Sequence, residues 1–462
     1  MALLELTEAW RLVAESVRPL PTQRVALQEA YGFRLAQPLT ATADIPPHDR
    51  SMLDGVALRF VDTLYPTDAN VLPSTTSRKG DTLCWLDVVE EVAAGVVPTV
   101  SVESGQAVRI MTGAMVPRGV DVVVGIERVI VPHDVDEPSK SAGMRGAGGS
   151  ATVVGIERGS VRENQNIQRR GAIARAGDEV LAAGRKLNAA ELGLAAEIGA
   201  SQILVRRRPR AAVITTGNEL VPADQEPSPS QIRDSNGPML EAALRAWTEQ
   251  SVWRTHSRDD AASLDAALRG ADSSGADVIV LAGGVSAGKL DLVPDRLAAF
   301  GAECVFHKVS LKPGKPIWFG VRETPSAGSS ADQDSAEHDS GEPPNATKRQ
   351  WIFGLPGNPI SSLIGAELFI GPLIAALQGA TFQPPHGVPA RLASEFTHRG
   401  DRPTYWPASS ETMEDGQRVT PAPWLGSADL PRVAQADGWI AFPAGTQTYA
   451  AGTLVKFVRR SV

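Results

Sequence analysis

The rhythm of apolar and polar positions changes near residue 206, and that change organises the chain. From Leu3 to Val17 apolar residues recur at helical spacing (Leu3, Leu6, Trp10, Val13), and Pro19 and Pro21 end the pattern. Arg24 to Leu39 reads as a short strand, a helix and an exit. From Val71 to Ile130, and again from Asn164 to Gly184, short β-like runs are separated by glycines, which predicts small β-rich folds. Asn188 to Ile198 predicts a helix with Asn188 as its N-cap. Beyond Arg206 the apolar runs stop alternating. Ala211 to Thr216 and Asp277 to Ala282 have the length and β-branched content of strands buried on both faces. Helical patterns lie between and after them, to about Trp247, over Ala261 to Leu268 and over Leu290 to Phe300. This alternation predicts a doubly wound α/β domain, whose crevice lies beyond the carboxyl ends of its strands.

A second apolar segment, Glu303 to Val309, leads into a proline-stiffened turn, and Trp351 to Leu355 leads into a long apolar helix to about Gln378 with Asn358 as N-cap. Residues from about 380 onward return to short strands, with turns at His398-Arg399-Gly400 and Leu425-Gly426-Ser427. Two stretches break the rhythm. Residues 133–150 are rich in Gly, Ser and Pro and read as a surface insertion, and Pro325 to Arg349 reads as a disordered loop with too little apolar surface to offset ordering. Val-Val-Gly-Ile-Glu-Arg occurs at Val123 to Arg128 and at Val153 to Arg158, but no period continues it, so it is no repeat architecture.

Composition narrows the classes. A chain of 462 residues exceeds one core, so two to four domains are expected. No run approaches eighteen apolar residues, which predicts no membrane span, and Met1 to Leu20 lacks the apolar centre of a signal peptide. The two cysteines, Cys84 and Cys304, lie far apart, which fits a reducing cytoplasm. The net charge of −8 argues against broad nucleic-acid binding, so any anion site must concentrate positive charge locally.

Such a concentration exists. Gly283-Gly284-Val-Ser286-Ala-Gly288 breaks a buried strand before a helix, presenting bare N–H groups to an anion. Lys312-Pro313-Gly314-Lys315-Pro316 then sets two lysines on a stiff turn. Polar residues at these strand ends are Glu219, Asp234, Ser235, Asn236, Ser286, Asp291, Lys312 and Lys315. Taken singly, Asp291 is an ordinary helix-start acid and Glu219 a solvated loop acid. Together on one edge they suit a phosphorylated ligand carrying Mg²⁺, with Asp291 and Glu219 as its contacts. Asp54-Gly55 and Thr112-Gly113-Ala114 read as turns, the first holding a carboxylate at a strand start. No histidine–cysteine cluster has zinc spacing, and neither a nucleophile elbow nor a P-loop occurs.

Seven motifs occur in order: Ser51-Met-Leu-Asp54-Gly55, Met111-Thr112-Gly113-Ala114, Thr216-Gly217-Asn218-Glu219-Leu220, Asp234-Ser235-Asn236, Gly283-Gly284-Val285-Ser286, Lys312-Pro313-Gly314-Lys315-Pro316 and Leu355-Pro356-Gly357-Asn358-Pro359. The set resembles the molybdopterin molybdenumtransferase (MoeA) family, which includes the E domain of gephyrin, over nearly the whole chain apart from the two insertions. The resemblance implies an elongated homodimer of four-domain subunits. Residues 1–44 with 160–205 would form an elongated dimerisation region, 45–159 a β-rich second domain, 206–378 a MogA-like molybdopterin-binding α/β domain, and 379–462 a C-terminal β domain. It implies a cytoplasmic enzyme that converts adenylylated molybdopterin and molybdate to molybdenum cofactor and AMP with Mg²⁺ assisting. A molybdopterin adenylyltransferase and recipient molybdoenzymes are the partners it suggests.

Carried over by residue, Glu219, Asp234, Asp291, Lys312 and Lys315 match the family's active-site positions in the α/β domain. By the same resemblance Gly283, Gly284, Ser286, Ser235, Asn236 and Pro356 would be substrate contacts at the same edge. Asp54 and Thr112 match positions that the second domain contributes across the dimer, and Arg399 and Ser427 match positions in the last domain. Three departures stand out. Ala172-Ile173 follows Arg169-Arg170-Gly171 where the family has an acidic pair, Lys289 replaces an acid, and Leu292 replaces an aromatic. Ile173 favours a second reading, a catalytically weakened, gephyrin-like dimeric scaffold holding a peptide of a membrane or cytoskeletal partner. The intact lysine loop and Asp291 favour the enzyme.

Overall fold

The unalternating apolar runs become the interior strands of one six-stranded sheet. The protein, seen here in a computed structural model, is described over residues 3–64, 82–131, 153–285, 292–325 and 347–461. The insertion expected at 133–150 lies outside those residues, as do Ser286, Lys289 and Asp291. Contacts group the chain into two units, Met1–Gln37 with Ala182–Ala196 and Ala200–Val462, and Pro38–Leu181 with Glu197–Gly199.

In the first unit the strands are β1 (Ala211–Thr216), β2 (Val252–Ser257), β3 (Val278–Ala282), β4 (Glu303–His307), β5 (Trp318–Pro325) and β6 (Thr347–Leu355). Their order is β2-β1-β3-β6-β5-β4, with the first four parallel and β5 and β4 antiparallel. Every residue of β1 and β3 is buried. Five helices cover the sheet: α1 (Leu6–Ser16), α2 (Asn236–Thr248), α3 (Ala261–Ser273), α4 (Val293–Ala299) and α5 (Pro359–Leu377). Val278, Val280 and Ala282 face a core shared with α1, α2 and α5, while Ile279 and Leu281 face one shared with α3 and α4. Period-two alternation therefore survives in direction even though both directions are apolar, and the domain is doubly wound.

Local details depart from expectation. The helix expected within 24–39 is a single 3₁₀ turn, Leu27–Glu29, and α4 starts at Val293. Asn188 caps as expected, its Oδ1 accepting the Ala190 N–H at 3.0 Å while Glu191 Oε2 accepts the Asn188 N–H at 3.2 Å. Asn358 occupies an N-cap position, but its side chain makes no capping bond. Pro325 and Thr347–Arg349 are not loop: Pro325 pairs with Thr347 and Glu323 with Arg349 in the β5–β6 ladder. The insertion is thus narrower than its composition suggested.

Helix α5 has 19 residues with a window hydropathy of 1.9, long and apolar enough to cross a membrane, and 89% of that window is buried inside the fold. It is the helix that the count of contiguous apolar residues missed, because Ser361, Ser362 and Glu367 interrupt the run. Its middle, Ala366–Ile370, is a π-helix turn. There Glu367, 4% exposed, accepts the Trp439 Nε1–H at 2.6 Å, with Arg460 Nε at 3.9 Å from its other oxygen.

Trp439 belongs to the C-terminal strands β7 (Val388–Leu392), β8 (Phe396–Gly400), β9 (Thr404–Met413), β10 (Gly416–Pro421), β11 (Gly438–Phe442), β12 (Gly445–Tyr449) and β13 (Leu454–Arg459). They form a closed barrel, β7-β10-β9-β11-β13, and a ribbon, β8-β12.

The second unit is built on a five-stranded sheet ordered Val122–Gly125, Gly55–Leu58, Gln106–Ile110, Leu83–Val92, Val153–Glu157. A Cβ on Gly55 would lie 2.0 Å from Val124 O, so glycine is needed for the central pairing.

Two predictions follow from the packing. Replacing residues 326–346 by a short turn joining β5 to β6 leaves a soluble protein with an unchanged melting temperature; loss of soluble protein would show that the segment is structural. Burial pushes the Glu367 carboxyl up to about 7, against the Trp439 hydrogen bond and the Arg460 charge. A carboxyl raised above its unfolded value of 4.5 supports the fold fully below that pH and loses its contribution as pH rises towards 7. Glu367→Gln keeps an acceptor for Trp439, so it should stabilise by on the order of 1–3 kcal/mol at about pH 8, with the gain gone near pH 4.5. Denaturant unfolding at both pH values measures this.

Candidate active site

Three adjacent parallel strands end together at one edge of the first unit: β1 runs into Gly217, β3 into Gly283-Gly284 and β6 into Pro356-Gly357. The Gly283 N–H donates to Leu355 O at 3.0 Å, and a Cβ on Gly283 would stand 2.4 Å from Thr216 O. With φ of 111° as well, only glycine fits there. Gly217 leaves room for Glu219, whose Oε2 lies 2.6 Å from where a Cβ would be. The Glu219 carboxylate therefore folds back over the loop, exposed to solvent.

Asp234 is half-buried, with Oδ2 accepting the Thr215 hydroxyl and Oδ1 the Gly237 N–H, both at 2.9 Å. It positions the start of α2. Ser235 sits at the N-cap without a side-chain cap bond, and the Asn236 amide donates to Gly357 O at 2.6 Å. Asn236 Oδ1 is buried with no partner among the described residues, an acceptor left over for a ligand donor. Asp259 went unread in the sequence. It accepts the Thr216 hydroxyl at 2.6 Å and the Asn218 N–H at 3.1 Å, and so braces the loop that carries Glu219. Its only sequence signal was an acidic pair, Asp259-Asp260, after β2, and Asp260 alone caps α3.

The lysine loop is fixed through its backbone. Val309 N–H bonds Lys315 O at 2.9 Å, Lys312 N–H bonds Pro403 O at 2.9 Å, and Tyr405 N–H bonds Lys312 O at 2.9 Å. Arg402 Nη1 adds a bond to Leu311 O at 3.3 Å. His307, at the end of β4, places Nε2 2.9 Å from Val285 O and so ties this region to the glycine loop. Lys312 is half-buried and Lys315 exposed. Among the described residues neither ammonium makes an ion pair or hydrogen bond, although the Asp401 carboxylate feels the Lys312 charge, and both can still meet an anion.

Ser427 joins the same edge: its carbonyl accepts the Ile360 N–H at 3.2 Å, beside the Pro356–Pro359 loop. Pro356 O in turn accepts the Ser362 hydroxyl. Arg399 is exposed on β8, and among the described residues no hydrogen bond or ion pair joins it to the strand ends. Ser286 and Asp291 lie outside the described residues.

In the second unit Asp54 and Thr112 meet. Asp54 Oδ1 accepts the Thr112 N–H at 2.7 Å and its hydroxyl at 2.6 Å, which together hold the exposed carboxyl below its usual range. The Ser51 N–H to Ala114 O and Gly113 N–H to Ser51 O bonds, 2.9 and 2.8 Å, lock the two turns side by side. Ile173 is 58% exposed in a turn where Gly171 and Ile173 bond back to Pro46 O and Ile45 O.

Residues 4–199 match the MoeA N-terminal region (domain I and II), 212–376 a probable molybdopterin binding domain, and 389–459 the MoeA C-terminal region (domain IV). The molybdopterin molybdenumtransferase of Staphylococcus epidermidis is 28% identical over 456 residues, 98% of this chain and 95% of that one, and that of Staphylococcus aureus is equally similar. Among solved structures, a molybdopterin biosynthesis MoeA protein from Pyrococcus horikoshii superposes with a TM-score of 0.73 at 25% identity, covering 100% of both chains. A molybdenum cofactor biosynthesis protein from Pyrococcus furiosus, 14% identical with a TM-score of 0.52, shares the fold over 99% of this chain and 100% of that one. With the three family regions following one another along almost its full length, the chain belongs to the MoeA family of molybdopterin molybdenumtransferases.

Proposed function

We propose that this chain inserts molybdenum from molybdate into adenylylated molybdopterin, yielding molybdenum cofactor and AMP. Family membership carries the role in molybdenum cofactor biosynthesis and the transferase class. The observation that supports the finer reading is the backbone-clamped loop that carries Lys312 and Lys315, neither of which makes an ion pair or hydrogen bond among the described residues. Such donors hold anionic oxygens without reorganising as charge shifts during cleavage and transfer.

The donor chemistry at the edge suits a hard cation. No three-ligand cluster of His, Cys, Asp or Glu occurs among the described residues, so a cation here would complete its shell with phosphate oxygens and water, the habit of Mg²⁺. Glu219 and Asp291 would hold it, and when bound it neutralises the phosphates being separated. Glu219 offers an exposed carboxylate braced by Asp259, and Asn236 Oδ1 offers an acceptor to the organic part of the substrate. Asp54 and Thr112 act, in this proposal, on the partner's site of a homodimer, within the four-domain division expected from the sequence. The scaffold reading rests on Ile173, which stands at the surface where a family acid is expected.

Lys312→Ala and Lys315→Ala should each weaken affinity for molybdate or the adenylylated substrate by on the order of 1.5–3 kcal/mol, with the fold spared. Isothermal titration measures it, and unchanged affinity in both variants rules the clamp out. Asp291→Asn keeps size but removes charge, so it should slow AMP release in the presence of molybdate and Mg²⁺ without altering the melting temperature. Rapid AMP release by this variant would remove Asp291 from the catalytic set, whereas no AMP release by the parent protein would favour the scaffold. Because Ile173 is exposed, Ile173→Asp incurs no burial cost: stability should stay within about 0.5 kcal/mol of the parent, and turnover should rise where that position faces the ligand.

A further inference from the structure

The lysine loop leans on an imidazole that none of the roles above uses. His398 lies in the middle of β8, 1% exposed, its ring stacked on Phe442 of β11 with centroids 5.0 Å apart and planes inclined by 13°. Phe442 is the register partner of Thr404, and Thr404 bridges to Lys312. The edge of the imidazole points the same way. A Cβ on Gly400 would stand 2.9 Å from both Cε1 and Nε2 of His398 and 3.0 Å from Thr404 Oγ1. The Thr404 hydroxyl is committed to Arg402 O at 3.0 Å, and both ring nitrogens of His398 are buried without a hydrogen-bond partner among the described residues. Simple packing on Phe442 calls for an apolar ring here, so the two unmet nitrogens need another account.

The surrounding charges are few. Lys312, bridged through its backbone to Thr404, is the cation whose charge reaches the ring. Asp401 and Arg402, paired at 3.2 Å, lie on the connection to β9, and Arg399 occupies the opposite side of β8. The register partner on β12 is Gln447. Tyr405 on β9 is buried and its hydroxyl pushed up to about 12, while the Arg402 hydrogen bond keeps Asp401 ionised. Burial, and after it the Lys312 charge, hold the imidazole below its ordinary value; the Gly445 backbone opposes this without reaching hydrogen-bond geometry. Both influences disfavour the imidazolium while the loop is empty.

We propose that His398 is a positioning residue for the Lys312 loop and couples oxyanion binding there to the uptake of one proton. The inference rests on the reading of that loop as an oxyanion site. A dianion held by Lys312 and Lys315 cancels the positive field that disfavours the imidazolium, and a proton from solvent then enters on a ring nitrogen. No other bond forms or breaks. By reciprocity, affinity for the dianion rises as pH falls towards the imidazole's ordinary value of about 6.5, by up to about tenfold per pH unit for one linked proton. Protonated His398 and Lys312 then flank the same loop, and the bound anion holds both.

The test is calorimetric titration of the full-length protein with molybdate from about pH 6 to 8, the window in which an imidazole changes charge, in two buffers of different ionisation enthalpy. The parent should gain affinity several-fold on going down the range, with up to one proton taken up per molybdate. His398→Gln should bind with a flat pH dependence and no buffer-dependent heat, while Lys312→Ala should bind more weakly throughout. Molybdate binding by the parent without proton uptake, or an undiminished slope in His398→Gln, overturns the coupling and leaves the lysine clamp standing. Absence of molybdate binding at every pH overturns the clamp itself, and this inference with it. Should His398→Gln not fold, the proton count of the parent decides alone.

Discussion

Gly283 cannot carry a side chain, and the candidate site follows from that. Its Cβ would fall 2.4 Å from Thr216 O, while its own N–H is committed to Leu355 O. The ends of β1, β3 and β6 are therefore drawn together by backbone contact rather than by side-chain packing, at the point where a parallel sheet leaves its crevice. Everything polar around them is arranged about that meeting point. Asp259 and Asp234 brace the loop after β1 and the start of α2, and the Asn236 amide crosses to Gly357.

Charge at this edge is separated by function. The acids that hold the framework are spent on hydroxyls and N–H groups: Asp234 on Thr215 and Gly237, Asp259 on Thr216 and Asn218. Among the described residues, Glu219 and the two lysines make no side-chain hydrogen bond or ion pair. The lysine loop can keep its charges unpaired because its shape depends on main-chain bonds to Pro403 and Tyr405, not on its side chains. The C-terminal barrel is in this sense part of the site, even though Arg399 itself makes no bond to the strand ends. Ser427 reaches α5 through its carbonyl for the same reason.

The same barrel accounts for the polar group buried in the core. Glu367 sits in the π turn of α5, where the helix meets Trp439 of β11. An acid inside an otherwise apolar helix is tolerated because the indole N–H and the nearby guanidinium of Arg460 meet it. α5 passes a test of length and hydropathy for spanning a membrane, yet its burial against the sheet and barrel makes it a core helix of this fold.

Periodicity located β1, β3, β4 and the later half of β6 but not β5, because a strand buried on both faces and a helix with one apolar stripe write different patterns into a sequence. The places of Glu219, Asp234, Asn236 and Gly283 after strand ends were legible for the same reason, because each follows the close of an apolar run. The motif order carried the family. What the sequence could not show was anything that depends on which distant segments touch. The tertiary structure alone decided that Asp259 braces Glu219's loop, that Thr404 seats Lys312 and that His398 is buried beside it. It also put Ile173 on the surface and drew Pro325 and Thr347–Arg349 into a ladder their composition disguised. Local sequence sets which backbone shapes are cheap. Burial, pairing and the fate of a charge are set by neighbours hundreds of residues away, and only the folded chain supplies them.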